Sequence, residues 1–150
     1  MVSHIQRREI IALEQWFVPR FLTDEQKQRI SDAVRPYHVT FDLIVYNDAE
    51  PLNFSVYIVD ALQKGGWTQV DFQGNPPQTF SRPGAPAFGV SQTAGIGVVY
   101  DGSRIAEFNE AASTLATVLL KEGFQAHAGP FPLAMATNAN VIHVMVGRKL

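Results

Sequence analysis

Three runs in this chain are apolar almost without interruption: Val39 to Tyr46, Gly95 to Tyr100 and Asn140 to Val146. A strand with one wet face alternates apolar and polar residues. A strand covered on both faces does not need to. These runs therefore predict buried central strands, and a mostly parallel sheet with helices on each side.

The segments between the runs repeat a pattern. Leu43-Ile44-Val45-Tyr46-Asn47-Asp48 leads through a helical stretch to Ala61-Leu62-Gln63-Lys64-Gly65-Gly66-Trp67. Gly97-Val98-Val99-Tyr100-Asp101-Gly102 leads through another to Leu119-Leu120-Lys121-Glu122-Gly123-Phe124. Each unit reads as strand, acidic turn, helix, glycine stop and a return to strand. Neither half covers its sheet face alone, so the two are expected to stack into one α/β domain, residues 37–150. The expected architecture is a three-layer, mostly parallel sheet of four to five strands, with a ferredoxin-like antiparallel sheet as the alternative.

Residues 1–36 read as N-terminal helices, a stalk or a cover. Ile10, Leu13, Trp16 and Phe17 make one apolar stripe. Thr23 and Gln26 have capping-box spacing, and the helix they open carries Ile30, Ala33 and Val34 inward until Pro36. In the later helix, Ile105, Phe108, Ala112, Leu115 and Leu119 form the expected inner face. Return strands are expected over Trp67 to Phe72 and near Gln125 to Ala128. Residues 73–93 hold four prolines and Phe80, Arg82 and Phe88, and read as a lid, an interface arm or a mobile loop.

Composition removes several function classes. Twelve Lys and Arg against 14 Asp and Glu leave a net charge of −2, without the basic excess of a phosphate-gripping nucleic-acid binder. No cysteine is present, which excludes disulfides, thiolate metal sites and a cysteine nucleophile. No apolar run approaches the roughly 20 residues of a membrane span, and a cytoplasmic location is expected.

Pro19-Arg20-Phe21-Leu22-Thr23-Asp24-Glu25-Gln26, Ala61 to Trp67 and the terminal Val146-Gly147-Arg148-Lys149 together resemble the soluble C-terminal domain of small, uncharacterised bacterial inner-membrane proteins. The pattern there is P-R-x-L-T-x-E-Q, A-L-x-x-A-G-W and a terminal V-G-x-K-P. The resemblance covers residues 15–149, and this chain departs from it at Leu150, where proline is usual. It implies a cytoplasmic domain that longer relatives tether to the membrane, and no particular chemistry.

In an open parallel sheet, ligands bind beyond the carboxyl ends of the strands. Three such ends carry Asn47 and Asp48, then Asp101, Gly102, Ser103 and Arg104, then Arg148 and Lys149. Converging, they would form a rim of carboxylates, a helix N-terminus and cations suited to an anionic, nucleotide-type ligand. The plainer reading is that Asp48 and Asp101 cap their helices. Gly95-Ile96-Gly97 precedes its strand and is no dinucleotide fingerprint, and no phosphate loop or hydrolase serine elbow is present, so no cofactor is expected. His127 and His143 would need a third ligand to hold a metal, and His143 reads as a core histidine.

The expectation is a non-enzymatic sensor or interaction module that self-associates and recognises an anionic ligand at this rim. A small nucleotide- or NAD-processing enzyme with a TIR-like or Rossmann-like site is the alternative. It lacks a clear catalytic set, because Glu107 and Glu110 sit on the wrong helix for TIR-type chemistry.

Overall fold

The computed structural model describes residues 18–72, 94–130 and 138–149. The N-terminal stripe of Ile10 to Phe17 and the proline-rich segment 73–93 lie outside them. In chain order the elements are α1 (Asp24–Val34), β1 (Thr40–Val45), α2 (Ala49–Lys64), β2 (Thr68–Gln69), β3 (Ile96–Tyr100), a 3-10 turn (Gly102–Arg104), α3 (Ile105–Lys121), β4 (Ala126–Pro130) and β5 (Ile142–Val146).

The five strands form one sheet in the order β2-β1-β5-β3-β4. β1 runs parallel to β2 and β5, and β3 runs parallel to β4. β5 runs antiparallel to β3. The result is a mixed, mostly parallel α/β sheet, not the ferredoxin-like antiparallel one. Each repeat unit supplies a parallel strand pair, β1–β2 and β3–β4, and β5 joins them.

Local chemistry sets the helix ends. The Thr23 hydroxyl accepts from Gln26 N–H while Gln26 Oε1 accepts from Thr23 N–H, closing the expected capping box. Asp48 accepts from Ala49 N–H and Asp101 from Ser103 N–H, so both acids cap, as the plainer reading had it. Gly66 ends α2 at φ 86°, which suits glycine alone among common residues. Gly65 is glycine for another reason: a Cβ there would stand 2.6 Å from Val34 Cγ2 and 3.0 Å from Ser31 O. α1 and α2 touch at that point. Ser31 Oγ donates to Ala61 O, and Trp67 Nε1 donates to Val34 O, pinning α1 onto the first repeat unit.

The main core lies between the sheet and the helices. Phe41, Leu43 and Val45 of β1, Ile96, Val98 and Tyr100 of β3, and Ile142, Val144 and Val146 of β5 face Ile30, Phe54, Ile58, Leu115 and Leu119. Alternate residues of the same strands point the other way. Ile44, Val99 and Met145 form a second buried cluster against Phe72, with Asp42 and His143 beside it. Central strands buried on both faces are what the unbroken apolar runs foretold. Ile105 is a correction: it is exposed, because α3 has only just begun there, and Ala111 and Ala116 take up the inner face instead. β2 is shorter than the run Trp67 to Phe72, since it sits at the sheet edge with both residues exposed.

Candidate functional site

The antiparallel pairing of β3 with β5 decides where the predicted site residues go. β1 and β5 end on one side of the sheet, and β3 ends on the other. Asn47, Asp48, Arg148 and Lys149 therefore lie at one end. Asp101, Gly102, Ser103 and Arg104 lie at the opposite end, about 17 Å away along a five-residue strand. The single convergent rim expected from sequence does not exist. A lone antiparallel pair at the sheet centre is enough to split it.

At the first end, Asp48 and Arg148 do meet. Arg148 Nε lies 3.9 Å from Asp48 Oδ2, and its guanidinium stacks over the Tyr46 ring at 4.5 Å. Both charges are more than half exposed, so the pair is weak. Asn47 is exposed beside them. The stronger construction is one layer in. Arg20 donates from Nε and Nη2 to the Glu50 carboxylate, at 3.1 and 2.6 Å, and from Nη2 to Gly147 O at 2.6 Å. Glu50 also accepts from Arg20 N–H. The guanidinium lies 4.5 Å above the Phe54 ring, and the side chain is 7% exposed. Lys149 Nζ donates to Val18 O. Residues 18–21 are thus strapped across the end of the sheet, fastened to α2 and to the residues after β5.

The far end is closed on itself. Ser103 donates to Asp101 from both backbone and hydroxyl, and this holds the Asp101 carboxyl below the usual aspartate range. Arg104 bonds Glu107 and, at 2.6 Å, Asn140 Oδ1, and lies over the Phe108 ring. These groups satisfy one another.

His143 is a core histidine whose partner is an acid. Its Nδ1 lies 2.6 Å from Asp42 Oδ1, across the parallel pairing of β5 with β1, and neither side chain has exposed surface. Burial pushes the Asp42 carboxyl above its usual range, against the lowering effect of the imidazole. Among the described residues Asp42 Oδ2 has no hydrogen-bond partner. A carboxylate that orients an imidazole is an acid–base arrangement, but this one is out of reach of solvent. His127 is not near it: β3 stands between β4 and β5, and His127 pairs with Gly97. No three-residue cluster able to hold a metal occurs among the described residues.

No protein family, no curated protein and no solved structure matches the chain. The chemistry of the surface must carry the functional reading.

That surface has one feature that sequence reasoning passed over. Among the described residues, six large apolar side chains are exposed, and four of them gather on one side: Val18, Phe21, Leu52 and Val56. Leu52 and Val56 project from α2 and line a groove of about 500 Å³ with Tyr57 and Asp60. Val18, Phe21 and Val56 line an adjoining hollow of about 620 Å³. Val56 is 66% exposed and is common to both. Helical spacing alone would have found Leu52 and Val56 off the inner stripe of α2. Only the strap brings Val18 and Phe21 beside them. Among the described residues no helix is long and apolar enough to cross a membrane.

Proposed function

We propose that this chain is a self-associating interaction module that docks a second copy of itself through the outward face of α2 and the adjoining strap. The observation that carries the reading is the gathering of Val18, Phe21, Leu52 and Val56 on one face, where two shallow hollows adjoin. Contiguous exposed apolar surface marks interaction sites more often than it occurs by chance on a monomer.

The charges beside it favour a second copy as occupant. Lys27 Nζ lies 3.0 Å from Asp60 Oδ2, and Lys27 sits over the Tyr57 ring. The pair adds no net charge to the face, and about a two-fold axis each Lys27 can exchange its own Asp60 for the copy's. In longer relatives of the kind the sequence resembles, a membrane tether would raise the local concentration of such modules.

Light scattering after gel filtration tests this directly. The expected result is a mass that approaches twice that of the chain as concentration rises. Val56→Arg is expected to hold it at the single-chain mass with an unchanged circular dichroism spectrum. A single-chain mass for the unaltered protein at every concentration would overturn the reading.

A further inference from the structure

Among the described residues the sheet ends at β4, on the opposite edge from β2. Ile96 N–H donates to Gln125 O, and Ile96 stands opposite Ala126 in the parallel register. Gln125, His127 and Gly129 therefore turn their backbone groups toward β3, while Ala126, Ala128 and Pro130 turn theirs outward. The N–H and C=O of both alanines and the C=O of Pro130 make no hydrogen bond among the described residues. Exposed sheet edges are commonly guarded by charge, a bulge or a very short strand. β4 instead keeps five residues in unbroken register with β3, and none of Gln125 to Pro130 is Lys, Arg, Asp or Glu.

A helix overhangs this edge. α3 packs over β3 and β4, and its exposed large apolar side chains are Ile105, 48% exposed, and Leu120, 51% exposed. α3 meets α1 where Tyr37 bonds Glu110 and Thr114 and where Arg29 bonds Glu122. At about 100° per residue, Ile105 and Leu120 both stand about a quarter to half a turn round the helix from these contacts. α1 also packs on α2, which covers β1, so the flank of α3 that faces away from α1 is the one above the open edge.

We propose that β4 takes up an extended, uncharged peptide of another protein as a sixth, antiparallel strand, with apolar residues at every second position beneath Ile105 and Leu120. Outward donors and acceptors that repeat about every 7 Å match an extended backbone, and not a lipid, a nucleic acid or a small molecule. In an antiparallel pair, the peptide residues whose N–H groups face β4 carry their side chains on the same face as Ala126 and Ala128, which pack toward the core under α3. A second copy of β4 fits less well. With both alanines paired about a two-fold axis at His127, Pro130 C=O falls opposite Phe124, whose N–H is already spent on Leu119 O. A foreign strand brings a free N–H to that point. This edge is separate from the face of α2, so the peptide site stands even if the chain proves monomeric.

The probe is a synthetic peptide of alternating valine and threonine, with a lysine pair beyond each end for solubility. The expected result is saturable binding to the full chain, with amide hydrogen exchange slowed about tenfold at Ala126 and Ala128. His127 and Gly129, already bonded to β3, are expected to keep their rates. N-methylation of the valine amides is expected to abolish binding, and N-methylation of the threonine amides to leave it intact. Ala128→Pro removes an outward N–H, a change that edge strands tolerate, and is expected to weaken binding about tenfold at an unaltered melting temperature. The methylated peptides probe the same contact without altering the protein, so they decide the matter if that variant fails to fold. No saturable binding, binding that survives valine methylation, or unchanged exchange at Ala126 and Ala128 in saturated protein would overturn the proposal. A fall in the solution mass of peptide-free Ala128→Pro would assign the edge to a second copy and overturn it too.

Discussion

Asp42 is the residue at which folding and ionisation meet. It is the one acid in an otherwise apolar run, and the fold takes it out of water. Burial raises its pKa, so the folded chain holds this proton more tightly than the unfolded chain does. Its contribution to stability is therefore fullest in acid, and is lost as pH rises from the unfolded value of about 3.9 through the raised folded one. The urea midpoint of the unaltered protein, minus that of Asp42→Asn, is expected to fall across this window and then level. Two curves that stay parallel with pH would contradict it. Asp42→Ala removes the hydrogen-bond partner of His143 Nδ1 from the core and is expected to cost about 1–3 kcal/mol, measured by the same denaturation. In sequence, His143 was legible as a core histidine because its neighbours are apolar. Its partner was not, since Asp42 lies 101 residues away and only the register of β1 on β5 brings the two together.

At the level of elements, local signals served well and pairing directions did not. The capping box of α1, the Asp48 and Asp101 caps and the stop at Gly66 are each fixed within a few residues, and each is found where the sequence put it. The direction of β3 against β5 depends on how two distant units dock, and no local residue encodes it. That is why the rim of Asn47, Asp48, Asp101, Ser103, Arg104 and Arg148 read as one site and is in fact two ends. Gly65 shows a different limit. It reads as half of a helix stop, yet its place is set by Val34 and Ser31 on another helix. Gly65→Ala is expected to lower stability by about 1–3 kcal/mol through overpacking. Gly123→Ala, with open space but φ of 96°, is expected to cost about 1–2 kcal/mol from backbone strain alone. Equal urea midpoints for Gly65→Ala and the unaltered chain would show that α1 and α2 move apart without penalty.

For the whole molecule, self-association ties stability to concentration. A partner that binds only the folded chain raises the melting temperature by mass action. The unaltered protein is expected to melt at a higher temperature as its concentration increases, and Val56→Arg to melt at one temperature throughout. A concentration-independent midpoint for both would deny that the α2 face is an interface. The strand order carries a further consequence for the order of events during synthesis. The first repeat unit and the second share no strand pairing with each other among the described residues, and every sheet hydrogen bond between them runs through β5. β5 leaves the ribosome after the other four strands of the sheet. Until it does, two half-sheets wait with unpaired inner edges, β1 on one and β3 on the other, and such edges recruit any strand offered to them. The nascent chain is thus most vulnerable to mispairing in the interval before β5 emerges.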